Sequence, residues 1–389
     1  MTPRAPRAVD VVVVGAGQAG LSAAYHLRRA GLRAAPAAAG SDDDGAGTFV
    51  VLDDAPAPGG AWQHRWDSLT MQHTHAVHEL PGLPLPAVDP AERASVAVAR
   101  YFEAYERAWD LAVVRPVRVR SVRDVRDEPD RPDVTDAPGR PAAASGLLAV
   151  ETDAGTWQAR ALINATGTWQ RPFWPSYPGR DAFAGEQLHT HDFRSAADHL
   201  GRHVVVVGGG TSAVQLLLEI GRITTTTWVT RRPPQFLTRP FDEEWGRSVV
   251  AAVDARTRAG LPPQSVVGVT GLPLTEEYQR GIDDGVLVRL PMFSRIVPDG
   301  VVWHPRDVPP APGHQRADVL LWATGFRPAL DHLAPLGLRR HGGGIVMDGT
   351  RVASDPRIQL VGYGPSASTI GANRAGREAV RDVRRLLAL

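Results

Sequence analysis

"HVVVVGGGTSAVQLLLEIG", His203 to Gly221, sets a β-branched run before a glycine turn and an apolar-periodic stretch, which predicts strand, tight turn and helix. The same order stands upstream in "DVVVVGAGQAGLSAAYHLRRAG", Asp10 to Gly31. A run such as Val11–Val14 suits a strand buried on both faces of a parallel sheet. In Gly15-x-Gly17-x-x-Gly20 the first glycine permits the turn, the second lets a pyrophosphate approach the backbone, and the third lets the helix pack on the sheet. The helix N-terminus then presents N–H groups to phosphate. One chain carries two dinucleotide-binding turns.

Working outward, "TFVVLDD" (Thr48–Asp54) reads as the next strand and ends on acids. Asp53 is the candidate for the ribose hydroxyls, although it lies 36 residues beyond Gly17 against the roughly twenty expected. A low-complexity insertion, Ala34–Gly47, accounts for the excess. The second turn, Gly208-x-Gly210-x-x-Ala213, differs at this point, because its next strand, "TTTTWVTRR", ends in Arg231 and Arg232. An acid repels a 2′-phosphate and a guanidinium pairs with it, so the second site suits NADPH. Two solvated surface arginines are the alternative. "PGGAW", Pro58–Trp62, suggests backbone at Gly60 and Ala61 pressed against a flat ring system.

Each turn has a later partner: "ALINATGTWQRP" (Ala161–Pro172) and "ADVLLWATGFRP" (Ala317–Pro328) repeat one pattern. Between them, Arg171–Arg194 reads as a Pro- and aromatic-rich linker, and Arg126–Ser145 as a disordered hairpin tip. "LLAVETDAGTWQARALINATG" predicts two strands around an Asp-Ala-Gly turn and a strand ending at Gly167. The C-terminal stretch predicts strand, Gly-Pro-Ser loop and helix, the helix packing Val380, Val383, Leu386 and Leu387 on the sheet. The fold class is α/β, with two Rossmann-type dinucleotide-binding domains, one inserted in the other.

The 389 residues, 43% hydrophobic and 22% charged, allow about two domains, and a net charge of +1 gives no electrostatic case for nucleic acid or an anionic membrane. Apolar runs are far shorter than a membrane span, and the chain opens almost directly into its first strand, so a cytoplasmic enzyme is expected. Cysteine is absent, which excludes thiolate metal sites, cysteine nucleophiles and a redox-active dithiol. His73, His75 and His78, with His189 and His191, lack the carboxylates or thiolates of a metal site, so no metal is expected. No nucleophile elbow is present.

Taken together, the two turns, the paired "ATG" strands and "PGGAW" resemble the class B flavoprotein monooxygenases: flavin-containing N/S-monooxygenases, Yucca-like enzymes and Baeyer–Villiger enzymes. The most specific element is "FAGEQLHTHDFR", Phe183–Arg194, which is similar to that family's FxGxxxHxxx-aromatic fingerprint. Phe193-Arg194 is closer to the N/S-monooxygenase and Yucca-like forms than to the Baeyer–Villiger one. The resemblance implies an FAD domain (1–172 and 322–389) holding an inserted NADPH domain (173–321). It implies a monooxygenase in which NADPH and O2 oxygenate a small organic substrate through a C4a-(hydro)peroxyflavin, with a homodimer allowed. An NADPH oxidase or dehydrogenase without substrate oxygenation is the alternative, and a non-catalytic nucleotide sensor a third reading.

The same resemblance implies catalytic roles for Gln72, His73, His189 and Arg194. Gln72 stands where animal-type enzymes carry a flavin-proximal Asn, counted from "LPGLPLP" (Leu80–Pro86). His189 has an equal alternative as a brace between domains. Expected cofactor contacts add Gln18, Ala19, Trp62, Met71, Val119, Ala165, Thr166, Gly167, Thr211, Ser212, Ala323, Thr324 and Gly325. The segment from Gly362 through Arg374 is expected to close over the flavin, with amides of Ser368, Thr369 and Ile370 at its reduced edge.

Overall fold

A computed structural model describes residues 5–35, 47–74, 77–127, 146–238, 243–263, 271–304 and 312–389, with backbone alone at 243–247. Most of the Ala34–Gly47 insertion, nearly all of Arg126–Ser145, and His75 lie outside the described residues.

The first sheet takes β1 (Arg7–Val14), β2 (Arg33–Ala34), β3 (Thr48–Leu52), β4 (Val119–Asp124), β5 (Leu148–Thr152) and β6 (Gly155–Asn164). It is completed by β17 (Met347–Asp348), β18 (Arg351–Val352) and β19 (Asp355–Leu360), giving the order 17-18-19-6-1-3-2 with β5 and β4 off β6. Val11 pairs in parallel with Phe49 on one side and Ala161 on the other, and Val11–Val13 are fully buried. That central position is why the run is unbroken valine. Helix α1 (Gln18–Arg29), α2 (Ala94–Ala108) and the C-terminal helix (Thr369–Leu387) cover one face. A Cβ on Gly376 would stand 2.6 Å from Ser22 Oγ, so α1 and the C-terminal helix approach to backbone contact there. The expected Asp-Ala-Gly hairpin is β5–β6, and its second strand runs on without a break to Asn164.

The second sheet is wholly parallel. Its strands are β7 (Glu186–His189), β8 (Val204–Val207), β9 (Thr226–Thr230), β12 (Arg289–Pro291) and β16 (Val319–Trp322), in the order 12-9-8-16-7. Helix α3 (Thr211–Ile220) lies on one face. Phe293, Trp303 and Trp322 pack on the other, beside the antiparallel strands β13 (Arg295–Val297), β14 (Gly300–Val302) and β15 (His314–Arg316). β10 (Phe236–Leu237) and β11 (Leu272–Pro273) form a separate short pair. The stretch expected to be linker throughout, Arg171–Arg194, contains β7, with Leu188 paired to Leu321. An edge strand hydrogen-bonds on one side only, so "EQLH" needs no apolar run, and sequence pattern misses it.

Both sheets end in the same way. Gly15 N–H donates to Leu52 O and Ala165 N–H to Val14 O in the first; Gly208 N–H donates to Val229 O and Ala323 N–H to Val207 O in the second. The carboxyl ends of the central strands open onto the turns, the place where an α/β sheet binds ligands.

Candidate functional site

Gly15 has φ +99° and a Cβ there would lie 2.6 Å from Ala165 O, so the first turn stands on the first "ATG" strand and needs glycine. Gly20 is tighter: its Cβ would fall 1.8 Å from Gly15 O. Gly17 is the opposite case, with nothing within 4 Å of a Cβ. No side chain caps α1 at Gly17, which leaves the first-turn N–H groups of Gln18, Ala19 and Gly20 for a ligand. Gln18 gives its amide N–H to Asn373 Oδ1 and His78 O, leaving Oε1 a buried acceptor without a partner. An open cradle, bare helix N–H groups and an orphaned acceptor fit the pyrophosphate and hydroxyls of a dinucleotide.

Asp53 follows β3 directly and is 6% exposed. Burial raises its pKa, and Arg115 and the Ala16 N–H partly offset that. Arg115 lies 3.4 Å from Asp53 and forks onto Glu106 at 2.6 and 2.7 Å. The residues running beside Asp53 are Val114–Val117, whereas Val119 opens β4 opposite Thr152.

The second turn repeats the geometry. Gly208 has φ +149° and its Cβ would lie 2.2 Å from Ala323 O, while Gly210 again has open space. Thr211 and Ser212 follow an uncapped helix start, and Ala213 is fully buried where the helix meets the sheet. Arg231 and Arg232 are exposed just past β9, with Arg232 O held by Thr230 Oγ1 and facing Gly209.

Between the turns runs the segment from Gly59 to Thr74. Gly60, φ +52°, would place a Cβ 2.9 Å from Gly17 Cα, so "GGAW" presses on the first turn, and Ala61 follows in the same short 3-10 helix. Trp62 and Met71 pack against the cores of both sheets. Gln72 and His73 are exposed, and His73 O accepts from Gln215 Nε2 of α3 at 3.0 Å. Ser68 Oγ donates to Glu219 of the same helix at 2.6 Å. The loop bearing Gln72 is thus tied to the second nucleotide helix.

His189 is fully buried, and burial lowers its pKa to about 4, so the ring is neutral. Nδ1 accepts from the His191 N–H, which fixes the proton on Nε2, and Nε2 donates to Gly325 O at 3.1 Å. Both nitrogens are used within the protein, which is the bracing arrangement. Arg194 is exposed and donates to the carbonyls of His191 and Phe193.

The two "ATG" segments are joined reciprocally. Thr166 Oγ1 donates to Ala329 O and Thr324 Oγ1 to Phe173 O; Ala329 N–H donates to Gly167 O and Phe173 N–H to Gly325 O. Each threonine holds the chain leaving the other motif. At the C-terminal loop, Gly362 (φ +68°) lies against Ala19, a Cβ there falling 3.5 Å from Ala19 Cβ. Ser368 caps the last helix through Gly371 N–H, leaving Thr369 and a half-exposed Ile370 at the mouth. Sequence reasoning missed Arg115, Arg65, Gln215 and Asn373. Arg65 sits beside "GGAW", Gln215 just past the second turn and Asn373 within the Gly362–Arg374 segment, but their individual contacts leave no pattern in the sequence.

A family model described as pyridine nucleotide-disulphide oxidoreductase matches residues 142–247. With no cysteine in the chain, what is shared is the nucleotide fold and not the disulfide chemistry. The solved structure of a flavin-containing monooxygenase from Stenotrophomonas maltophilia matches with TM-score 0.73 and 33% identity, over 97% of this chain and 99% of that one. The chain belongs to the flavin monooxygenase family. Another solved structure, cyclohexanone monooxygenase, has TM-score 0.61 over 96% of this chain and 87% of that one; at 18% identity it shares the fold. Indole-3-pyruvate monooxygenase YUCCA1 of Oryza sativa is 31% identical to this member of the family over 213 residues, 54% of this chain and 45% of that protein. The matched stretch spans about half the length of such curated relatives. Among the described residues no helix is long and apolar enough to cross a membrane, and no three His, Asp or Glu side chains form a metal site.

Proposed function

We propose that this flavin monooxygenase binds FAD on the first turn and NADPH on the second, and uses O2 to oxygenate a small organic substrate in the cleft between them. The observation that carries this is the repeated geometry: two glycine turns, each seated on its own "ATG" strand and each open at its second glycine. In this reading residues 173–321 form the NADPH domain and 1–172 with 322–389 the FAD domain. Bound flavin supplies the redox chemistry, taking hydride from nicotinamide and activating O2.

The chain's own residues bind, orient and exclude water. Gln18–Gly20 amides hold the FAD pyrophosphate, and Asp53 accepts from the adenosine ribose. Arg231 and Arg232 hold the 2′-phosphate that separates NADPH from NADH. Trp62 and Met71 keep the cleft floor dry, and Gln72 offers a side-chain amide that donates without acting as an acid. His189, neutral and fully engaged, positions Gly325 rather than moving a proton. The first turns of α1 and of the C-terminal helix bring positive dipole ends to the flavin site.

Purified protein supplied with FAD should be yellow, and NADPH should bleach it anaerobically. A screen scored by NADPH consumed against peroxide released then separates oxygenation from oxidase turnover. Protein that holds no FAD, or flavin that NADPH does not reduce, overturns the reading.

A further inference from the structure

Arg65 is a partly buried cation with no anionic partner among the described residues. Its guanidinium lies 4.7 Å from the centroid of Trp169 and 5.7 Å from that of Trp62. It makes no side-chain hydrogen bond and no ion pair with any described residue, and burial alone lowers its pKa to about 10. Asp67 pairs with Arg93, Asp54 with Arg118 and Asp192 with His191. The adjacent His64 has its pKa lowered by burial and then by His191 and Arg194, with Asp54 opposing. A guanidinium partly withdrawn from water is costly without an anion, and its fork matches a carboxylate.

The place is informative. Trp62 belongs to the "GGAW" turn and packs on both cores; Trp169 follows the first "ATG" and stacks on Phe326, which follows the second, at 5.1 Å. Arg65 therefore stands where the two nucleotide sites face one another. Nucleotide phosphates already have seats, at the bare starts of α1 and α3 and at Arg231 and Arg232. A positive site remains over.

We propose that Arg65 binds the carboxylate of the substrate, so that this monooxygenase acts on small organic acids. This rests on the function proposed above. The test uses the oxidised, FAD-loaded enzyme and needs no turnover: isothermal titration with benzoate and phenylacetate against benzamide and phenylacetamide, on wild type and Arg65→Gln. Wild type should bind the acids about tenfold or more tightly than the amides, and Arg65→Gln should lose that preference, as expected for a hydrogen bond between charged groups. No acid preference in the wild type, or one kept in Arg65→Gln, overturns the proposal.

Titration of NADP+ separates the two sources of an oxyanion. A fall in NADP+ affinity with acid binding untouched assigns Arg65 to a nicotinamide phosphate and overturns the substrate role. If Arg65→Gln purifies without FAD, Arg65→Lys carries the test: it keeps the charge but loses the fork, so a reduced acid preference supports the proposal and an unchanged one overturns it. Failure here leaves FAD binding and NADPH-driven bleaching intact in the wild type; failure of the function reading removes them.

Discussion

Gly17 and Gly20 sit in one turn, yet alanine should act on them through different physics. At Gly20 a Cβ would lie 1.8 Å from the Gly15 carbonyl, and both partners are backbone in a packed turn. Relief demands that α1 lift off the sheet, an overpacking cost of about 1–3 kcal/mol or more, against a helix-propensity gain near 1 kcal/mol. At about 2–4 °C per kcal/mol for a unit of this size, Gly20→Ala should melt several degrees low with or without cofactor. At Gly17 the backbone has φ −81° and ψ −172°, ordinary for alanine, and the methyl would meet no protein atom within 4 Å. The apoprotein of Gly17→Ala should therefore melt with the wild type, within about 0.5 kcal/mol. On the function proposed above, the methyl instead fills the space through which phosphate would reach the helix amides. Loss of one charge-assisted hydrogen bond, about 1.5–3 kcal/mol, weakens FAD by roughly 10- to 150-fold. Thermal melts of the apoproteins and FAD titration by fluorescence quenching read the two effects separately. Gly17→Ala that binds FAD like the wild type, or that melts as low as Gly20→Ala, refutes the assignment of that space to a ligand.

Gly210→Ala, the matching site in the second turn, should spare FAD and raise the KM for NADPH; lost FAD occupancy would contradict it. Arg231→Ala with Arg232→Ala should lower the NADPH-over-NADH ratio of kcat/KM by about tenfold or more, as expected for lost charge-assisted bonds, and an unchanged ratio returns both arginines to the surface. Asp53→Ala should weaken FAD retention while keeping most of the fold, because Arg115 still forks onto Glu106; full FAD occupancy after gel filtration would count against it. Stability should fall as pH drops from about 6.5 to 4, since His189 binds a proton when unfolded but not when folded, its pKa being lowered to about 4. That fall amounts to about 3 kcal/mol at most for this fully buried ring. Urea midpoints at pH 7 and 4.5 should converge less in the wild type than in His189→Gln, and equal pH dependence would show the ring is not the cause.

The turns, their strands and their "ATG" partners were legible because each depends on a local rule: a valine run for double burial, glycine where a Cβ has no room. Short edge strands were not, as β7 shows, since one-sided pairing leaves little trace in composition. Individual contacts across the chain were also silent. Asn373 reaches Gln18 and Glu79 O from a terminal helix, and Gln215 reaches His73 O from the second unit. No spacing in the sequence encodes such pairs. Asp53 does follow β3 directly despite its irregular interval from the turn, because the strand end and not the residue count sets where the acid stands.

The reciprocal threonine strap bears on how the molecule is made. The chain leaves the first sheet near Phe173 and returns near Gly325, and these residues are hydrogen-bonded at 2.9 Å. An intervening segment whose ends emerge side by side closes no wide loop, so the host tolerates it at little entropic cost, and a different guest of any length could be spliced there. Synthesis imposes the opposite condition. β19 pairs with β6 at Ile358–Leu162 and is made last, so the first sheet stays incomplete on the ribosome until the guest has been translated. The guest's own strands, β7 to β16, are by then all available. The inserted unit can therefore finish folding before its host, and it delivers the returning chain to the open edge of β6.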